Sequence, residues 1–207
     1  MDIHCFGCSW SHDLYEISWP KILAKRYPQH TIYNYSMPAS DILFSIYCMT
    51  KVKPRKNTKN FFIFQGTGSG RISSYNKFLP QQFLIGQGNY KSMDENKLKE
   101  FSNFKRITRG MGKESPKFFK QYFNFISDEI IDFEYDVYIK YARTLADYTF
   151  TQREKVDGVD CLVTDCFNNH KNYKKYICDS AGQHLGEDGL QKQVDWIEKK
   201  LEFLNVD

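Results

Sequence analysis

No run in the chain approaches the ~18 consecutive apolar residues of a membrane-spanning helix, and no segment repeats. The first residues include Asp2 and His4 and lack the basic flank and apolar stretch of a secretory leader, so a cytoplasmic protein without membrane association is expected. Charge of one sign is also scarce, because 29 Lys and Arg are offset by 25 Asp and Glu to a net +4. A sequence pI of about 8.6 falls short of the clustered basic character, with pI above ~9, of nucleic-acid-binding domains, and no nucleic-acid partner is expected. The single basic run, 51–59, reads as a solvated loop. Six Cys without a leader read as reduced thiols. Cys5-Phe6-Gly7-Cys8 is formally a C-x-x-C, which leaves a redox pair at a strand-to-helix junction as one reading. Four-ligand zinc binding is not completed, since no second C-x-x-C or paired His follows; neither a metal nor a cofactor is expected.

What is present is a globular composition: 207 residues, 41% hydrophobic and 16% aromatic, with 14 Tyr and 17 Phe. That length carries one full-sized core, and a single domain over 1–207 is expected. Residues 2–6 are a candidate buried first strand, followed by Ser18-Trp19-Pro20, a cap with Pro in the first turn of a helix carrying Ile22, Leu23 and Tyr27. Residues 31–34 predict a second strand, and Ser40 or Asp41 predicts the cap of a second helix with Ile42, Leu43, Ile46 and Tyr47. The unalternating run 60–65 suits a parallel strand covered on both faces. It leads into a Gly-rich loop, Gly66-Thr67-Gly68-Ser69-Gly70-Arg71, which lacks the spacing and Lys of a P-loop. Strands alternating with helices predict a doubly wound α/β fold.

Residues 72 to about 116 read as a long polar insertion over the sheet end. From Pro116 the pattern predicts two helices broken near Ser127-Asp128, with Asp128 as a cap. Their aromatic stripe runs through Phe119, Tyr122, Phe123 and Ile126, then Ile130, Val137, Tyr141, Leu145 and Tyr148. A further strand is predicted over 159–165, and a last helix from about Asp188 with Leu190, Val194, Ile197, Leu201 and Leu204 on one face.

Two short stretches carry the chemistry. Ser9 follows the first strand, where open α/β sheets place their ligands, although its surroundings also fit a plain strand-to-helix loop. His184 stands in a Gly-rich loop entering the last helix, with Asp179 in the same loop. Ester hydrolysis by Ser requires a base within hydrogen-bond reach and a group to orient that base.

With these residues the chain resembles the SGNH (GDSL-like) hydrolase family, in the divergent form found in phage and bacterial genomes. Gly7-Cys8-Ser9-Trp10 is similar to its first block, with Cys8 in place of Asp and Ser9 as nucleophile. Asn34-Tyr35-Ser36-Met37-Pro38-Ala39-Ser40 is similar to the second block, with Ala39 where a Gly N–H helps form the oxyanion hole. Gly66-Thr67-Gly68-Ser69 matches the third block in part, Gly68 standing where the family has an Asn donor, and Thr67, Ser69 or Gln65 are candidate replacements. His184 matches the His of the last block; Ala181 occupies the usual Asp position, which makes Asp179 the nearest carboxylate, or leaves a Ser–His dyad held by a carbonyl. Arg71 follows the third block at a place suited to an acidic or carbonyl-bearing substrate or to a surface salt bridge.

The resemblance implies a three-layer α/β/α, flavodoxin-like parallel sheet and a serine esterase or acylesterase. Ser9, His184 and Asp179 would be catalytic, while Ala39, Gly66, Thr67, Gly68, Ser69, Arg71 and Trp10 would receive the oxyanion or the substrate. The expected partner is a small-molecule or glycan ester. Two other readings stand beside this one: a non-catalytic SGNH-like protein that binds a glycan or a protein, and a nucleotide or nucleic-acid binder using the 66–71 loop with the 51–59 run.

Overall fold

The computed structural model describes residues 1–9, 11–13, 17–38, 40–66, 71–74, 78–100, 105–108, 127–151, 161–167, 174–178 and 184–200. Nine strands are described: β1 (Asp2–Phe6), β2 (Thr31–Asn34), β3 (Asn60–Gln65), β4 (Arg71–Ser74), β5 (Leu84–Ile85), β6 (Tyr90–Met93), β7 (Lys105–Thr108), β8 (Tyr148–Thr151) and β9 (Cys161–Leu162). The helices are α1 (Trp19–Arg26), α2 (Ile42–Lys51), α3 (Glu95–Glu100), α4 (Asp128–Leu145) and α5 (Glu187–Lys200), with 3₁₀ turns at Pro80–Phe83 and Val163–Phe167.

Seven strands form one sheet in the order β5-β6-β2-β1-β3-β8-β9. Six of them run parallel, and only β5 is antiparallel to its neighbour. β1 lies at the centre with all five residues buried, the polar Asp2 and His4 included, as expected of a parallel strand covered on both faces. The register sets Ile3 between Ile32 and Phe61, and His4 between Tyr33 and Phe62.

Helices cover both faces. On one face Ile3, Cys5, Ile32, Phe61, Ile63 and Phe150 pack with Trp19, Ile22 and Leu23 of α1 and Leu190, Val194 and Ile197 of α5. On the other, Phe6, Tyr35 and Phe64 pack with Ile42, Phe44, Ile46 and Met49 of α2 and Tyr135, Ile139 and Ala142 of α4. Right-handed crossovers account for this division. The chain steps from β1 outward to β2, then back across β1 to β3, so α1 and α2 fall on opposite faces. The order β2-β1-β3-β8-β9 is that of a doubly wound sheet whose topological switch lies between β1 and β3.

Several boundaries differ from the sequence reading. Within 72–116 the chain is not a structureless insertion: β6 extends the main sheet beyond β2, β5 caps that edge, and β4 pairs with β7 in a separate antiparallel ribbon. β5 and β6 escaped detection because they are short and lie at the edge of the main sheet, where half-exposed positions carry no strong apolar pattern. The cap of α4 is Ser127, whose side chain accepts from Ile130 N, and Asp128 is the first helical residue. Tyr148 belongs to β8 rather than to a helix. Of the strand predicted over 159–165, Cys161–Leu162 forms β9 and the chain turns from Val163 onward, while residues 159 and 160 lie outside the described residues. The expected helix before residue 127, together with Leu201 and Leu204, lies outside the described residues. Among the described residues, no helix is long and apolar enough to cross a membrane.

Candidate active site

The site is built at the carboxyl ends of β1, β2 and β3. Past Phe6 the chain turns at Gly7, where a Cβ would stand 2.6 Å from Ser11 Oγ and 3.2 Å from the Gln65 carbonyl. Glycine is required there by close approach. The N–H groups of Ser11 and His12 both donate to the Cys8 carbonyl, at 3.0 and 3.1 Å, which curls the chain tightly around Ser9. Cys8 is buried beneath the turn while Ser9 remains partly exposed.

His184 reaches this turn from the far end of the chain. Its Nε2 lies 2.9 Å from Ser9 Oγ, within hydrogen-bond distance. A short antiparallel pairing holds the His in place: Cys178 N donates to the His184 carbonyl at 2.8 Å, and Gly186 N to the Tyr176 carbonyl at 2.7 Å. Leu185, next to it, is buried in the core beside α5. A hydroxyl and an imidazole 175 residues apart are thereby set for proton transfer.

Around the Ser9 turn runs a connected set of buried and part-buried polar side chains. Ser11 Oγ donates to Gln65 Oε1, and Trp19 Nε1 donates to both Ser11 Oγ and Gln65 Oε1, at 2.9 and 2.8 Å. Asn34 Nδ2 donates to the Ser11 carbonyl at 2.7 Å and to Tyr90 Oη at 3.0 Å, while Asn34 Oδ1 accepts from Ser36 N at 3.1 Å. Tyr90 Oη stands 3.0 Å from each Asp13 oxygen, and Ser18 Oγ donates to the same carboxylate. Burial, then the adjacent Asp13 charge, pushes the Tyr90 phenol well above its ordinary range, so it remains a donor. On the second loop, Met37 N and Ser40 Oγ both donate to the Gly7 carbonyl at 3.2 Å, clamping that loop against the Ser9 turn.

Of the residues expected at the site, Ser9 and His184 come together. Asp179, Ala39, Trp10, Thr67, Gly68 and Ser69 lie outside the described residues. Gly66, expected among the oxyanion or substrate-binding positions, donates its N–H to the Phe150 carbonyl at 2.7 Å, between β3 and β8. Arg71, expected in the Gly-rich loop, opens β4, its backbone paired with Thr108. Gln65, considered as a replacement oxyanion donor, has its side-chain Oε1 engaged by Ser11 and Trp19, while its donor Nε2 is buried with no hydrogen-bond partner among the described residues. Cys5 and Cys8 are free and fully buried, and burial pushes the Cys5 thiol well up, which disfavours a thiolate at that position. Among the described residues, no three or more His, Cys, Asp and Glu side chains are grouped to hold a metal ion.

Sequence reasoning passed over Ser11, Asp13 and Tyr90. Asn34 and Gln65 carried a legible signal, each being a polar residue that ends an apolar strand. Tyr90 carried none, because it sits in a polar stretch whose strand character depends on pairing with β2.

A scan of the chain against protein-family models matches none of them, and a search of curated proteins gives no match either.

Proposed function

We propose that this protein is a serine hydrolase of the SGNH type, acting on an ester of a small molecule or glycan. The observation that carries the reading is the 2.9 Å approach of His184 Nε2 to Ser9 Oγ at the switch point of a doubly wound sheet. Ser9 Oγ attacks the ester carbonyl as its proton passes to His184 Nε2, giving a tetrahedral intermediate. His184 then returns that proton to the departing alkoxide oxygen, leaving an acyl-Ser9. A water molecule, deprotonated by the same nitrogen, attacks the acyl carbon; the acyl–Oγ bond breaks, His184 returns the proton to Ser9 Oγ, and the acid departs.

The resemblance assigns the oxyanion to the backbone N–H groups of Ser9 and Ala39, and the orienting carboxylate to Asp179. The clamp from Met37 and Ser40 onto the Gly7 carbonyl supports this, since it ties the loop containing Ala39 to the Ser9 turn. The nucleic-acid reading loses support from the fold. The 51–59 run precedes β3 and the Gly-rich stretch follows it, so they stand at opposite ends of that strand, and Arg55 is engaged by Asp2.

Hydrolysis of p-nitrophenyl acetate and labelling by a fluorophosphonate test the assignment. Wild type is expected to turn over and to label at Ser9, with Ser9→Ala and His184→Ala reducing turnover by ~10³-fold or more. Equal, slow hydrolysis by all three proteins together with no labelling overturns it in favour of a non-catalytic binding protein.

A further inference from the structure

Residues 11–13, which leave the Ser9 turn, belong to no helix or strand, so other elements must determine where they run. Side chains from several elements do so, besides Gln65 and Trp19, which hold the Ser11 hydroxyl. Asn34, at the end of β2, holds the Ser11 carbonyl with its amide NH₂ and Ser36 N with its amide oxygen. One planar group thereby spaces the segment after Ser9 from the loop after β2. Tyr90, the first residue of β6, accepts from the same Asn34 NH₂ and donates to Asp13. Asp13 in turn receives the hydroxyl of Ser18, which also caps α1 by accepting from Lys21 N at 3.3 Å. A single phenolic oxygen is therefore the meeting point of β2, β6 and the chain between Ser9 and α1.

We infer that Tyr90 is a positioning residue for Ser9, acting through Asn34 and Asp13 to hold the nucleophile's turn in register with His184; the inference rests on the serine-hydrolase reading. It gives the β5–β6 extension a role besides widening the sheet, since β6 delivers the hydroxyl. Without that oxygen, Asn34 loses an acceptor and the Asp13 carboxylate loses a donor. Both groups are then drawn towards water, and the 11–13 segment moves with them. Because a misplacement of ~1 Å at a reacting centre costs on the order of 10²-fold in rate, the effect falls on chemistry before it falls on folding.

The test compares Tyr90→Phe with Tyr47→Phe in the full chain. Tyr47 is a fitting control: its hydroxyl is also part-buried and doubly bonded, donating to the Phe78 carbonyl at 2.8 Å and accepting from Phe78 N at 2.9 Å, on the other face of the sheet. Two readouts are taken, the second-order rate of fluorophosphonate labelling at Ser9 and the NMR resonances of the His184 imidazole, with Ser9→Ala as the reference for a lost Ser–His contact. Tyr90→Phe is expected to slow labelling about tenfold or more and to move the His184 signals towards those of Ser9→Ala. Tyr47→Phe is expected to change neither, at a similar loss of thermal midpoint. Wild-type labelling and unmoved His184 signals in Tyr90→Phe overturn the inference, as do equal effects from both Phe variants. If wild type is not labelled, the hydrolase reading fails, and the His184 comparison alone decides the positioning. Should Tyr90→Phe not fold, Asp13→Asn, which keeps the shape and weakens the acceptor, takes its place with the same expected direction.

Discussion

His4 is a residue through which pH is expected to act on the stability of this fold. Its ring stacks on Tyr33 at 5.0 Å between centroids, lies near Tyr35 and Phe62, and its Nε2 is 3.0 Å from Asn60 Oδ1. Burial holds the imidazole below the ordinary histidine value, outweighing the opposing pull of Asn60 and Asp2 and adding to the push of Arg55. The unfolded chain therefore binds a proton at His4 more readily than the folded one. Stability is unaffected above the ordinary value of ~6.5 and falls as pH drops from there towards the lowered folded value. Urea unfolding at pH 8, 6.5 and 5.5 is expected to show a steeper loss in wild type than in His4→Phe, which keeps the stack and removes the titration. Parallel pH dependence in the two proteins would exclude His4 as the cause. Asp2, on the same strand, is fully buried and held by Arg55, so the first strand carries two polar side chains whose fit depends on neighbours from the 51–60 region.

At the scale of elements, local chemistry explains where helices begin. Asp41 Oδ1 accepts from Phe44 N at 2.8 Å and caps α2, while the neighbouring Ser40, equally eligible in the sequence, turns inward to the Met37 and Gly7 carbonyls. Asp41→Ala is expected to cost about 1 kcal/mol in urea unfolding, the ordinary worth of such a cap. A change near zero would mean that packing alone sets the start of α2. Helix α4 shows where local pattern stops being sufficient. Ile130, Val137 and Tyr141 form a regular apolar stripe, yet they are 48, 44 and 49% exposed, while Ile131, Tyr135, Ile139 and Ala142 face the sheet. Both stripes have helical period, and periodicity cannot rank them. The choice belongs to the surface that α4 meets on Phe64 and α2.

Across the whole molecule, α1 and α5 join the first and last parts of the chain. Arg26 donates to Asp195 and Glu198 at 2.7 and 2.8 Å, and to Gln191 at 2.6 Å. These groups sit on the rim of a contact whose core is Trp19, Ile22, Leu23, Val194 and Ile197. Arg26→Ala is accordingly expected to cost under ~1 kcal/mol, with the difference from wild type shrinking in ~0.5 M salt. A larger, salt-insensitive loss would show that the fork, and not the apolar contact, holds the two helices.

The amino-acid sequence by itself determined the elements whose signals are local. The unbroken apolar run of β3, the cap Ser18, and the polar ends Asn34 and Gln65 follow from what each stretch must bury or satisfy. It also marked Ser9 and His184 as a pair worth bringing together. Tertiary structure alone decided that they stand 2.9 Å apart, that β6 lies beside β2, and that Tyr90 meets Asp13 and Asn34 there. The physical reason is that these contacts join residues 56 to 175 positions apart. Such contacts exist only once parallel strands have fallen into register, and register is a property of paired strands, held by no single stretch of chain.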